Sequence, residues 1–350
     1  MEASLAPLLP LHARERDAAR PFALGVLLET AGSTYRKAGA LMAMTAGGEF
    51  AGLLSGGCLE GDLGEHARSV ITSGTARVVT YDSRGPDDLV WGLGLGCEGA
   101  MRIFLLRVGP EQGYEPLEHL ARALADHRAT AVGVITESRR ADVPLGGIVL
   151  PDGGGTGALR GEAVQGALAQ ARDTGKICGL SDQNGEWQLF LLPIALPPRL
   201  LLLGAGPDAV PVVDFAARLG WKVTVVDHRP LYATSLRFAF AERVVPAPSP
   251  AALSEVVDLE AFDATVVMSH HLASDLAYLR TLAHAGIPYV GLLGPAVRRE
   301  KLLESLNGEA DRLRPRLHAP VGLPLGGRAP EAIALAIVAE IHAFLNRSAV

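Results

Sequence analysis

Cysteine is scarce in this chain of 350 residues: only Cys58, Cys97 and Cys178 occur, and no two stand at CxxC spacing. That excludes a secreted disulfide framework and argues against a structural zinc site. Long apolar runs are missing as well; none reaches the ~18 residues that a bilayer crossing needs. The opening MEASLAPLLPLHARERDAAR has no basic stretch leading into a signal-length apolar core. Long basic runs are absent and the formal net charge is −6, which argues against a nucleic-acid binder. Together these absences predict a cytoplasmic protein with reduced thiols, no membrane contact and no nucleic-acid partner.

Glycine is what the chain has in plenty. Forty glycines, many in runs at Gly56-Gly57, Gly92 to Gly99, Gly153 to Gly157 and Gly326-Gly327, predict loops whose backbone approaches something closely. A composition of 49% hydrophobic and 20% charged residues is that of a globular chain, and the length exceeds one ordinary core. Two domains are therefore expected. The break falls in Leu191 to Pro198, where Pro193, Pro197 and Pro198 predict neither a helix nor a central strand. The expected domains are residues 1–192 and 199–350, joined by a proline-rich linker over 193–198.

The fold class is α/β: an N-terminal mixed α/β domain followed by a C-terminal Rossmann-like parallel-sheet domain. In the first part, Phe22 to Glu29 reads as a strand, and Ala40 to Thr45 with Phe50 to Leu54 as a hairpin. Leu59 to Ser73 has helical periodicity and ends at Gly74. Strands are expected at Ala76 to Tyr81, Ala100 to Val108, Ala131 to Thr136 and Gly147 to Leu150, with a helix near Glu115 to His127. Past the prolines, short apolar runs starting at Leu200, Lys222, Arg243, Ala264 and Tyr289 alternate with helical stretches, as a parallel sheet covered on both faces requires.

Four leucines lead into Gly204-Ala205-Gly206-Pro207-Asp208-Ala209 and then a helix, the context that gives a GxGxxA pattern its meaning. Gly204 and Gly206 would make the turn, Ala209 would allow close helix–strand packing, and Asp227, ending the next strand, would accept from a ribose. A nucleotide or related phosphate is the expected ligand, although Asp208 would compete with it for amide donors at the helix start. Ser269-His270-His271 follows the strand at Ala264, at the edge where open α/β sheets bind ligands. The pair reads either as loop polarity or as ligand-binding groups. Arg298 and Arg299 would attract a phosphate or form a solvated helix face.

Two segments of the first domain present a thiol on a glycine loop: Ser55-Gly56-Gly57-Cys58, before a helix, and Gly92 to Gly99, which contains Gly96-Cys97. A helix N-terminus lowers a thiol pKa and offers amides to an anion, whereas Glu60, Asp62 and Glu65 oppose this. With Arg36 and Lys37 on the Gly32-Ser33-Thr34 loop, the two segments suggest a shared anion pocket. Cys178 has no such setting and reads as structural.

Beyond these local readings, GSTYRKAGALMAMTAGGEFAGLLSGGCLEGDL, GLGLGCEG, LLLLGAGPDAVPVVDFAARLGWKVTVVDHRP, VVMSHHLASDLAYLR, YVGLLGPAVRREKLL and LHAPVGLPLGGRAPEAIALAIVAEI resemble the XdhC/CoxI family in its own order. They cover most of the chain. The resemblance implies an accessory protein, a maturation chaperone more than an enzyme, that binds molybdenum cofactor (molybdopterin). It would help sulfurate the cofactor and insert it into a xanthine dehydrogenase-type molybdenum hydroxylase apoenzyme. A cysteine desulfurase is a candidate further partner, and a homodimer is expected. Carried over by residue, the motif positions are Ser55-Gly56-Gly57-Cys58, Glu60 and Gly96-Cys97. The chain departs from the family in reading Cys97-Glu98-Gly99 where CGG is common, and in lacking an Asp beside His270 and His271. Soft thiolates at Cys58 and Cys97 would ligate or shield the metal or its terminal sulfur. The alternatives are an NAD(P)-dependent oxidoreductase built on Gly204, Gly206 and Asp227, with His270 or His271 as proton donor, and a redox-responsive scaffold using the two cysteines.

Overall fold

The structure, a computed structural model, describes residues 5–57, 59–82 and 99–346. The chain divides into two compact units, Met1–Leu196 and Pro197–Val350. The first contains α1 (Leu9–Asp17), β1 (Phe22–Gly32), the hairpin β2 (Leu41–Thr45) and β3 (Phe50–Gly52), α2 (Glu60–Ser73), β4 (Arg77–Asp82) and β5 (Gly99–Val108). These five strands form an antiparallel sheet in the order β3-β2-β1-β5-β4. The run from Phe22 to Leu28 is buried throughout because both its faces are covered. Phe22, Leu24 and Val26 point into one core and Ala23 and Leu27 into another, under α2. Gly74 closes α2 in the left-handed conformation, φ 73°, donating its N–H to Val70.

After α3 (Leu117–Ala125) comes a second antiparallel sheet, ordered β7-β6-β9-β8. It is made from β6 (Thr130–Ser138), β7 (Ile148–Val149), β8 (Cys178–Ser181) and β9 (Trp187–Ile194), with α4 (Glu162–Thr174) on the chain before β8. Val132, Val134 and Leu192 of this sheet share the core of Phe22 and Leu24, so the two sheets pack face to face. The other face of the second sheet takes Val164 and Leu168 of α4. Pro193 differs from the sequence expectation: it lies inside β9, opposite Ala131 of β6. The pairing of β8 with β9 starts only at Leu191, so β9 has a single neighbour at Pro193 and is locally an edge, where a missing N–H is tolerated.

The second unit runs β10 (Arg199–Leu203), α5 (Ala209–Arg218), β11 (Lys222–Asp227), β12 (Arg243–Pro246), α6 (Leu253–Val256), β13 (Ala264–Val267) and α7 (Leu272–Leu282). It ends with β14 (Tyr289–Leu292), α8 (Ala296–Leu306), α9 (Ala310–Leu313), β15 (Leu317–His318) and α10 (Pro330–Leu345). All six strands are parallel, ordered β12-β11-β10-β13-β14-β15. This is the doubly wound order whose direction reverses between the first and fourth strands, opening a crevice at the carboxyl ends of β10 and β13. Leucines at 201 and 203 face one helical layer and those at 200 and 202 the other, which explains the unbroken apolar run. Among the described residues no helix is long and apolar enough to cross a membrane.

Candidate functional site

In the first unit, the start of α2 is built by Ser55 and Glu60. The buried Ser55 hydroxyl lies 2.7 and 2.8 Å from the two Glu60 carboxylate oxygens and donates to them. The N–H of Leu59 donates to the same carboxylate at 3.1 Å, and the N–H of Gly57 to Ser55 Oγ at 3.2 Å. Glu60 therefore supplies the negative charge that a helix N-terminus favours, and it takes amides that the sequence left for a ligand. Gly56 and Gly57 remain exposed, with nothing within 4 Å of where a Cβ would stand, and Gly57 has φ +104°. Cys58, Gly96 and Cys97 lie outside the described residues.

The elements around this loop converge. The β1–β5 ladder ends in the pair Gly32–Gly99, and the β4–β5 ladder in Asp82–Ala100. The Tyr81 hydroxyl donates to Asp62 Oδ2 at 2.5 Å, tying the first turn of α2 to the end of β4. Burial, reinforced by the Asp62 carboxylate, pushes the Tyr81 phenol pKa up, so it stays protonated as the donor. A Cβ on Gly99 would come 2.7 Å from Thr34 Cγ2, so only glycine lets β5 begin against the loop that carries half-buried Arg36. The Thr34 hydroxyl holds that loop by donating to the Arg36 carbonyl at 2.9 Å.

In the second unit, Gly204 has φ +122°, and a Cβ there would fall 2.6 Å from the Met268 carbonyl. The turn thus presses against the backbone leaving β13. Ala209 is fully buried in the core beneath α5. Asp227 is fully buried, and its two oxygens accept from the Ala205 N–H (2.7 Å), the Arg229 N–H (2.8 Å) and Arg229 Nε and Nη2 (2.9 and 2.7 Å). Burial alone would raise the carboxyl pKa, but the Arg229 guanidinium and the two backbone donors outweigh it and hold the group ionised below its usual value. The ribose acceptor that the sequence suggested is thus already engaged by the chain itself.

His270 sits at φ +59°, a conformation unfavourable for a residue with a Cβ. Its Nε2 lies 2.7 Å from Asp208 Oδ2, across 62 positions of sequence, and the other Asp208 oxygen folds back over Gly206. The carboxylate partner of this histidine therefore comes from the start of the chain segment entering α5. His271 caps α7, its Nδ1 accepting from the Ser274 N–H at 3.3 Å. Behind it, fully buried Asp275 accepts from Ser269 Oγ and from Arg298 Nη2, both at 2.5 Å. Arg299 donates to the Ala319 carbonyl at 2.7 Å and pairs with Glu300. Both arginines thus have partners within their own unit.

Sequence reasoning passed over Arg229, Tyr232 and Arg237. The Arg237 Nη1 donates to the Ala205 carbonyl at 2.9 Å, inside the glycine turn, and both guanidiniums lie over the Tyr232 ring, at 4.2 Å for Arg229 and 5.1 Å for Arg237. An arginine two positions after the acidic end of the second strand could have pointed to Arg229; Tyr232 and Arg237 carry no such signal.

A doubly wound parallel sheet with a glycine first turn, joined in one chain to a mixed α/β unit with a serine–glycine–glycine loop at a helix start, defines a two-unit α/β protein with a Rossmann domain. The chain belongs to the XdhC and CoxI family. Residues 15–82 match that family and residues 200–341 match the XdhC Rossmann domain. It is 33% identical over 327 residues to a probable xanthine dehydrogenase subunit of Bacillus subtilis, spanning 93% of this chain and 94% of that one. It is also 24% identical over 325 residues to the molybdenum cofactor insertion chaperone PaoD of Escherichia coli, covering 91% of this chain and 81% of that one. A crystal structure described as a xanthine dehydrogenase from Bacillus halodurans superposes with a TM-score of 0.78 at 27% identity, covering 97% of this chain and 96% of the other.

Proposed function

We propose that this protein is a maturation factor that binds molybdenum cofactor, assists its sulfuration and delivers it to a xanthine dehydrogenase-type molybdenum hydroxylase apoenzyme. The observation that carries the reading is the exposed Gly56-Gly57 loop, held by Ser55 and Glu60. It lies at the sheet end where β4 stops and β5 begins, the two strands that flank the second glycine–cysteine segment. End-to-end similarity to a relative named as a molybdenum cofactor insertion chaperone supports it.

The described residues fit such a ligand in two respects. The Cβ positions of Gly56 and Gly57 open onto free space, so a ligand can approach the backbone, and the loop against which β5 begins carries two cations, Arg36 and Lys37, of the kind that a phosphate attracts. When bound, the cofactor would supply the molybdenum centre that its client uses. Cys58 and Cys97 would act as soft donors toward the metal or its terminal sulfur, with a cysteine desulfurase as the sulfur source. The protein would work in the cytoplasm as a homodimer.

The test is anaerobic purification followed by oxidation of any bound pterin to a fluorescent product. Near-stoichiometric pterin is expected, and Cys58→Ala and Cys97→Ala should each lose most of it. A purified protein that neither retains nor takes up molybdopterin refutes the reading. A second reading, an NAD(P)-dependent oxidoreductase, draws on the glycine turn of β10 within the doubly wound order. It requires measurable dinucleotide affinity, and a flat titration at millimolar concentration removes it.

A further inference from the structure

The segment from His228 to Ala241, which leaves the carboxyl end of β11, has no role in the cofactor-carrier reading. Leu231 and Leu236 stand 88% and 95% exposed on it, and Tyr232 is 36% exposed between them. Apolar side chains kept in water at the edge of a ligand crevice are suited to the face of a planar ring. Around Tyr232 two guanidiniums gather, and only one of them is neutralised. Arg229 is paired with Asp227, whereas Arg237 touches no carboxylate among the described residues. Its Nη1 donates to the Ala205 and Tyr232 carbonyls, while its Nε and Nη2 have no partner among the described residues.

Two further features decide which ligand suits the place. A dinucleotide-binding Rossmann domain offers a free carboxylate to the ribose diol, but both oxygens of Asp227 are filled by Ala205 and Arg229. It also offers the amides of the first helical turn to a pyrophosphate; here Asp208 brings a negative charge to that turn and is held there by His270. The diol site is closed, the pyrophosphate site carries the wrong charge, and a surplus guanidinium stands beside both.

We infer that Arg237, with Arg229 and Tyr232, forms a subsite for a phosphate monoester carried by a planar heterocycle. The anion is held by Arg237 and the ring lies against the apolar rim of Leu231, Tyr232 and Leu236. A mononucleotide and a phosphorylated pterin share this chemistry; a dinucleotide lacking a monoester does not. The subsite lies within the second unit; its pterin arm rests on the cofactor-carrier reading, its nucleotide arm does not, and the Cys58→Ala and Cys97→Ala variants, which that reading requires to lose pterin, should leave it intact.

Calorimetric titration of the full chain tests it with adenosine 2′-monophosphate against adenosine, a 6-alkylpterin phosphate against the unphosphorylated pterin, and NAD. At least one phosphorylated ligand should bind about 10-fold or more tightly than its unphosphorylated counterpart, as a charge-assisted hydrogen bond implies. The two pairs show which heterocycle is taken. Affinity should rise between about pH 5 and 7, as the monoester loses its second proton with a pKa near 6. Arg237→Lys, which keeps the positive charge, should retain most of that affinity, whereas Arg237→Gln should lower it about 10-fold, with circular dichroism showing that each variant is folded. Leu231→Ser with Leu236→Ser should weaken binding without altering the preference for phosphate. The inference is overturned if neither phosphorylated ligand binds at about 5 mM, if Arg237→Gln leaves affinity unchanged, or if NAD binds as tightly as the monoesters.

Discussion

Removing the Asp227 side chain should destabilise the second unit severely. Asp227→Ala leaves the N–H of fully buried Ala205 without its acceptor, at a cost of about 1–3 kcal/mol. It also strands the Arg229 guanidinium. Breaking a fully buried ion pair costs about 3–5 kcal/mol, but Arg229 is 36% exposed and recovers part of that by rehydration. The expected loss is about 3 kcal/mol. With a urea slope of roughly 2 kcal/mol per molar, the unfolding midpoint should fall by about 1.5 M.

Trp221, buried in the core of the second unit, makes fluorescence the natural probe, checked against circular dichroism. Asp227→Asn, which keeps an oxygen for Ala205 and loses the charge, should fall between the two proteins. Acidification adds a second test. The folded carboxyl titrates below its usual value, so the unfolded chain takes up the proton first. The contribution is then complete above the usual carboxylate pKa of about 3.9 and is lost as pH falls through the lower folded value. Asp227→Asn should flatten that part of the profile. A midpoint shift below about 0.3 M for Asp227→Ala would refute the claim that this carboxylate holds the glycine turn.

Gly204→Ala should cost at least about 3 kcal/mol, because it combines a positive φ with a Cβ 2.6 Å from the Met268 carbonyl. Gly220→Ala has φ +79° but open space around its Cβ and should cost only about 1–2 kcal/mol; equal midpoints for the two variants would remove the steric argument. His12, buried between Phe22 and Tyr114, has its pKa lowered by burial, with Glu118 at 3.5 Å opposing only in part. The unfolded chain therefore protonates first, and stability should drain as pH falls below about 6.5. His12→Gln should lack this loss when urea midpoints at pH 7.5 and 5 are compared; an unchanged slope would show that His12 is not its source.

Much of the architecture was legible in the chain itself. Strand and helix signals are local: the periodicity of α2, the glycine ending it, and the leucine run into Gly204 each depend on neighbours a few residues away. The order of βα units after Pro198 sufficed for the Rossmann class, since right-handed crossovers leave few ways to arrange such strands. The residues flanking the glycine turn were found on the same grounds.

The partners of those residues were not legible, because they depend on contacts between distant positions. Asp208 meets His270 across 62 positions, and Arg237 reaches Ala205 across 32. Asp227 reads from sequence as an open ribose acceptor, yet the fold brings an amide and a guanidinium onto both its oxygens. Pro193 reads as a strand breaker, yet β8 stops short of it and leaves an edge. Sequence by itself determined many of the strands, helices and glycine turns, though not α1, α4, β8 or β9, because short-range sterics and periodic burial decide them only where the pattern is strong. Only the tertiary structure decided which charges meet an opposite charge and which, like Arg237, meet backbone carbonyls instead.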